Sequence, residues 1–60
     1  MKTYRVYYQG YNSHGILEFD FIEYTGQEFD AVYVIDRIEK KYNLSNVQIN
    51  HYIEVIKKKI

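Results

Sequence analysis

The order of apolar and polar positions along the chain predicts three β-strands and one helix. Residues 2–10 and 16–24 alternate with the two-residue period of a strand. Residues 11–15 lie between them and contain Asn, Ser and Gly, which tolerate turn conformations. We therefore expect these segments to form a β-hairpin. A third alternating segment, residues 47–58, predicts a long final strand.

The segment that joins the second and third strands has helical spacing. Apolar side chains recur so that one face of a helix over about residues 27–42 is apolar. Thr25 and Glu28 fit a capping box, in which each side chain bonds to the other residue's backbone N–H. Asn43 suits the left-handed turn that commonly ends a helix. We expect the helix to begin just after Thr25 and to end before Asn43.

The element order β-β-α-β predicts an α+β fold. The chain returns most easily beside strand one, which gives a three-stranded antiparallel sheet of order 2-1-3 with one helix packed on one face. We expect residues 1–60 to form a single domain. Phe19 and Ile38 should then face each other between sheet and helix. The predicted core consists of the apolar rows that face the helix, namely Tyr4, Val6, Tyr8, Leu17, Phe19, Phe21, Ala31, Val34, Ile35, Ile38, Val47, Ile49, Ile53 and Val55.

One helix covers only one face of a sheet, so the opposite face is expected to be exposed. Exposed patches of apolar or aromatic side chains rimmed with charge usually mark interaction sites. The predicted exposed face carries Arg5, Tyr7, Glu18, Asp20, Ile22, Tyr24, Asn50, Tyr52, Glu54 and Ile56. From this set and the neighbouring loop we predict a partner or dimer interface formed by Tyr7, Tyr11, Ile22, Tyr24, Asn50, Tyr52, Glu54 and Ile56.

The composition, with eight tyrosines and no cysteine, indicates association with a second protein. Tyrosine combines a large apolar ring with a polar hydroxyl and is therefore enriched at interfaces. A chain of 60 residues buries a modest share of its surface, and this one has no disulfide to compensate. We expect a homodimer, formed through the third strand or the exposed sheet face, with Tyr52 and Ile56 near its centre.

The sequence contains no motif for catalysis, a cofactor or a metal. His14 lies in a turn and His51 in an apolar row, and neither has the neighbouring ligand spacing of a zinc site. Glu18 and Asp20, two apart on one strand face, are best interpreted as solvated carboxylates. We therefore expect a protein that is not an enzyme and holds no cofactor.

Charge and hydropathy limit the remaining classes of partner. The eight basic and eight acidic residues balance, whereas general nucleic-acid binders carry a basic excess. The alternative that remains is a small nucleic-acid-binding regulator that uses exposed tyrosines, Arg5 and the lysines at 57–59. No apolar run approaches the roughly 20 residues needed to span a bilayer, so we expect a cytoplasmic protein without a membrane partner.

The commonest residues of the chain have AT-rich codons, and this codon usage is one part of a resemblance to a known class of proteins. Ile, Lys, Asn and Tyr have AT-rich codons and supply 26 of the 60 residues. In size, codon usage and predicted layout, the chain resembles small accessory proteins encoded by phages of low-GC Gram-positive bacteria, which include anti-CRISPR and anti-Hachiman inhibitors. The resemblance implies a protein that acts in the bacterial cytoplasm and inhibits a host defence protein by occupying its surface. No individual residue motif carries it, so it assigns no site residues.

Overall fold

A computed structural model describes residues 1–56. Its elements are β1 (Lys2–Tyr11), β2 (Leu17–Gly26), α1 (Ala31–Tyr42) and β3 (Ser45–Val55). The strands form one antiparallel sheet in the order β2-β1-β3, and α1 lies on one face of it. This confirms the predicted α+β fold with its 2-1-3 sheet. The predicted end of the third strand at residue 58 and the lysines at 57–59 lie outside the described residues.

The loop between β1 and β2 is closed by the side chain of Asn12. Its Oδ1 accepts hydrogen bonds from the backbone N–H groups of His14 at 2.9 Å and Ile16 at 3.1 Å. The Asn12 N–H donates to the carbonyl of Ile16 at 2.9 Å. Gly15 has a φ of 73°, a left-handed conformation that glycine adopts without a steric cost. The loop therefore sets the alignment of the two strands that leave it.

The alignment of the hairpin decides which face of β2 meets the helix. Residues directly opposite each other on antiparallel strands share a face of the sheet. Tyr4 and Val6 are buried, and their partners Tyr24 and Ile22 pack against the same core. The predicted inward row of β2 is therefore wrong, because the side chains that lie on the face away from α1 are Leu17, Phe19 and Phe21.

A β-bulge reverses the faces within β3. Tyr7 is opposite His51 but Tyr8 is opposite Ile49, so Asn50 has no partner on β1. One extra residue in a strand shifts the alternation of its side chains by one position. The bulge therefore gives residues 47–49 and residues 51–55 of β3 opposite alternation.

The predicted inward face of β3 is right before the bulge and wrong after it. Before the bulge, Val47 is buried and Ile49 packs against the core, as predicted. After it, Ile53 lies opposite Arg5, and Val55 follows on the same side, so both are on the face away from the helix. Their predicted core positions are wrong. Tyr52, opposite the buried Val6, faces the helix instead.

The helix begins four residues later than the sequence pattern predicts. Asp30 is the N-cap, and its Oδ1 accepts a hydrogen bond from the Tyr33 N–H at 3.1 Å. Thr25 instead belongs to β2, where its hydroxyl lies 3.0 Å from that of Thr3. The predicted capping box of Thr25 and Glu28 is therefore wrong, because sheet pairing extends β2 through the first of these residues.

The end of the helix is closed as predicted and leads directly into the core. Asn43 has a left-handed φ of 54°, and its N–H and that of Leu44 donate to the Glu39 carbonyl. Leu44 is buried over Gly10 of β1. A Cβ at Gly10 would lie 2.9 Å from Cγ2 of Val47, so this close approach requires glycine. Leu44 was absent from the predicted core.

The core lies between β1 and α1. Val6, Val34 and Ile38 are fully buried. Ile35 packs against this core at its edge, whereas Ala31 is exposed, contrary to the prediction. The remaining buried side chains are Tyr4, Tyr8, Leu44 and Val47.

We predict that Ile38→Ala lowers the free energy of unfolding by about 2–5 kcal/mol, because it leaves a cavity in a fully buried site. Phe19→Ala should change it by only about 0.5 kcal/mol, since this side chain is 67% exposed. Urea unfolding followed by circular dichroism measures both values. Equal losses for the two variants would contradict the face assignment of β2.

Tyr8 is the more deeply buried of the two tyrosines in the core. Burial, followed by the negative charges of Asp20, ionised Tyr42 and Glu18, raises the pKa of Tyr8 to about 12. Its ordinary value is 10.0, so the unfolded chain releases this proton first as the pH rises. The stabilisation is therefore complete below pH 10 and is lost progressively as the pH rises to about 12.

We predict that the wild type loses on the order of 2–3 kcal/mol more stability than Tyr8→Phe between pH 10 and pH 12. The comparison cancels the titration of the other tyrosines and the lysines, which both proteins share. Urea unfolding at a series of alkaline pH values gives the two curves. Parallel curves would show that Tyr8 titrates normally.

Candidate functional site

The face of the sheet turned away from α1, called here the open face, carries a row of three rings. Tyr7 of β1 lies between Phe21 of β2 and His51 of β3. Its ring centre is 5.7 Å from that of Phe21 at a tilt of 44°, and 5.6 Å from that of His51 at 27°. Each strand contributes one ring because the two partners of Tyr7 share its face. The row therefore crosses the full width of the sheet.

Arg5 and Glu23 lie beside this row and form an ion pair. Arg5 Nη2 is 3.3 Å from Glu23 Oε2, and Arg5 Cζ is 5.3 Å from the centre of the Phe21 ring. Hydrogen bonding to Tyr7, and then to Glu23, raises the pKa of Arg5 above its ordinary value, so the guanidinium stays charged. The two opposite charges leave this part of the open face without an electrostatic preference for either sign.

Large apolar side chains on the open face remain exposed. Phe19 is 67% exposed, Phe21 49% and Ile53 41%. Tyr11, at the end of β1, is also exposed. A patch of this kind on a folded protein usually marks an interaction site. The open face is therefore the candidate functional site of the described chain.

The structure divides the residues of the predicted interface between the two faces. Tyr7 and Tyr11 lie on the open face. Four residues that were predicted on the open face lie on the helix side instead, because their partners on β1 face the helix. They are Ile22, Tyr24, Tyr52 and Glu54. Asn50 is the bulge residue, and Ile56 is exposed just beyond β3. The role of these residues in binding a partner stays a prediction.

Several tyrosines contact other rings of the same chain on the helix side of the sheet. Tyr52 stacks on Phe29, with ring centres 3.9 Å apart and planes 14° apart. The rings of Tyr4 and Phe29 meet edge to face with their centres 5.6 Å apart, and the ring centres of Tyr24 and Tyr33 are 5.9 Å apart. We call these five residues the helix-side cluster. Three of the tyrosines that the sequence contains therefore pack against rings of the same chain on the strands' helix side, and Tyr33 of α1 joins them.

Among the open-face residues that the sequence pattern placed on the inward side are Phe19 and Phe21 of β2 and His51 and Ile53 of β3. The length of the hairpin loop is the signal that could have placed Phe19 and Phe21 on the open face. Once residue 11 is aligned with residue 17, even-numbered residues of β1 face even-numbered residues of β2. The sequence alone did not indicate the bulge that places the other two.

The acidic residues of β2 do not form a common site. Glu18 accepts a hydrogen bond from Asn12 Nδ2 at 2.7 Å, and Asp20 accepts one from the N–H of Phe21 at 2.8 Å. Both lie on the helix side, whereas Glu23 lies on the open face. Residues 1–56 contain no group of three or more side chains arranged to hold a metal ion.

Comparison with models of known protein families found no match for this chain, and comparisons with curated proteins and with solved structures found no similar protein. No helix within residues 1–56 is long and apolar enough to cross a membrane.

We predict that Tyr52→Asp destabilises the fold by about 1–3 kcal/mol, because it removes the ring stacked on Phe29 and places a charge beside it. Tyr11→Asp is the matched control, since Tyr11 is exposed to a similar degree, 40% against 47% for Tyr52, but stacks on no ring within residues 1–56. Thermal unfolding compares the two. If Tyr52→Asp melted with the wild type, the helix-side cluster would not contribute to stability.

Proposed function

We propose that this chain is a non-enzymatic protein-binding module whose binding surface is the open face. The observation that carries the proposal is the exposure of Phe19, Phe21 and Ile53 around the Tyr7 ring. Aromatic side chains are enriched in the buried centres of protein interfaces. Covering them contributes roughly 25 cal/mol for each Å² of apolar surface removed from water.

The shape and charge of the open face favour a protein partner. The ring row and the exposed apolar side chains lie on one side of a sheet, where a flat complementary surface can cover them together. The Arg5–Glu23 pair can exchange hydrogen bonds with a partner at the rim without leaving an unpaired charge. Such a surface gains its affinity from burial, with the ion pair contributing orientation.

Nucleic-acid binding is the second candidate, because the stacked Tyr7 and His51 rings resemble a platform for bases. Against it, Arg5 is already paired with Glu23, and the described strands place no lysine or second arginine on the open face. Phosphate contacts need such cations. Binding of a labelled single-stranded oligonucleotide that weakened steeply as salt was raised would favour this candidate over protein binding.

We propose that the target is a bacterial defence protein, which the chain inhibits by covering its surface. This narrower role rests on the resemblance to small phage proteins. The homodimer expected from the sequence is proposed to use the open face as well, although Tyr52 lies on the helix side, where its ring stacks on Phe29. Two copies joined in this way would have to separate before either covered a target.

We predict that Phe19→Glu abolishes partner binding without unfolding the protein. Val32→Glu is the control, because Val32 is 79% exposed on α1 and lies away from the open face. Tagged wild type and both variants are used to capture proteins from a lysate of a low-GC Gram-positive bacterium. The expected result is a protein retained by the wild type and by Val32→Glu but lost with Phe19→Glu.

Two further measurements separate the parts of the proposal. Sedimentation velocity at micromolar concentration should show a dimer for the wild type and a monomer for Phe19→Glu. In a host with an active defence system, expression of the wild type should restore phage plating, and Phe19→Glu should not. Capture that is unaffected by Phe19→Glu would exclude the open face as the binding surface.

A further inference from the structure

A cleft of about 430 Å³ separates β2 from α1 on the helix side of the sheet. Ile22 and Tyr24 of β2 are only partly buried, so α1 leaves the helix-facing side of this strand partly uncovered. Ile22 and Tyr24 line the strand wall of the cleft, and Val34 and Ile38 form its apolar base. The cleft faces the helix side of the sheet, but Phe21 and Glu23, whose side chains belong to the open face, also line it.

The helix wall of the cleft carries two cations. Arg37 and Lys41 are one turn apart on α1 and both line the cleft. Arg37 Nη1 is 3.2 Å from the Tyr33 hydroxyl, and Lys41 Nζ lies 5.4 Å from the centre of the Tyr42 ring. Residues 1–56 place no carboxylate within ion-pair distance of either cation. An acidic ligand would therefore complement this wall.

The strand wall of the cleft is an edge of the sheet. Within residues 1–56, β2 pairs with β1 alone, and it does so without a register shift from Lys2↔Gly26 to Tyr11↔Leu17. The other edge, β3, has two register shifts and a residue with positive φ, Asn46. A regular edge with unpaired backbone groups is the better template for an additional strand.

We propose that an extended acidic segment of another protein adds to β2 as a further strand and places alternate side chains in the cleft. Every second side chain of a strand points to the same face, so the segment should present apolar residues to Ile22 and Ile38 and acidic ones to Arg37 and Lys41. Backbone hydrogen bonds supply affinity in this mode of recognition and the side-chain sites supply specificity.

Two hydrogen bonds indicate where the segment lies and which partner it comes from. Asp20 already accepts from the Phe21 N–H, so the added strand runs along the part of β2 beyond residue 21, which is the part that lines the cleft. In a second copy of this chain, Glu18 is held by Asn12 and Asp20 by its own neighbour. The carboxylates of another β2 are therefore already engaged, which favours a different protein as the source.

The test uses a fluorescently labelled peptide with the sequence Ser-Ile-Thr-Val-Ser-Glu-Thr-Glu, in which alternate residues are apolar and then acidic. Fluorescence anisotropy should show saturable binding to the wild type, and NMR should show protection of β2 amides beyond residue 21. The same peptide with both Glu residues replaced by Lys should bind about tenfold more weakly or not at all.

The decisive variant combines Arg37→Gln with Lys41→Gln. It should lower the affinity for the acidic peptide by about tenfold. Lys40→Gln is the matched control on the same helix, because Lys40 is paired with Asp36 at 3.1 Å and does not line the cleft. It should bind like the wild type. Circular dichroism verifies that all variants keep the fold.

Three outcomes would overturn the proposal. Equal binding of a peptide N-methylated at the residues that face the edge would show that the cleft takes a carboxylate without strand addition. Equal binding to the double variant would remove the role of the cations. Protection of β2 amides in a dimer that the peptide does not displace would assign the edge to a second copy. Phe19→Glu should keep peptide binding, so failure of the open-face function is measured separately.

Discussion

The hydrogen bonds of Asn12 across the hairpin loop set the constraint on which the rest of the structure depends. By closing residues 12–16 they align Tyr11 with Leu17. Because the side-chain period of a strand is two, a shift of one residue would move every β2 side chain to the opposite face. Ile22 would then leave the core and Phe21 would enter it. The loop therefore determines both what the helix covers and what the open face displays.

The bulge at Asn50 acts on the other edge in the same way. It lets Val47 and Ile49 meet the helix in one half of β3, while Tyr52 meets Phe29 in the other half. Without the extra residue, the two halves of β3 would present the same alternation throughout. The helix-side cluster and the His51 end of the ring row therefore both depend on one unpaired residue.

The two proposed binding surfaces lie on opposite sides of the same strand. β2 contributes Phe21 to the open face and Ile22 to the cleft beside α1. The first surface is apolar with a neutral ion pair, whereas the second has a cationic wall formed by Arg37 and Lys41. Their chemistry suits different partners, a flat protein surface and an extended acidic segment.

The sequence by itself determined the number, type and order of the elements, and hence the sheet order. Alternation and helical spacing are local properties, and the left-handed turn at Asn43 is local as well. The same alternation defines two rows per strand, however, and apolar residues occupy both rows of β2. Tertiary structure decided between them, because the loop length that aligns the hairpin and the bulge at Asn50 act between strands. The open face was predicted to exist, but pairing between strands selected Phe19, Phe21, His51 and Ile53 as residues that form it.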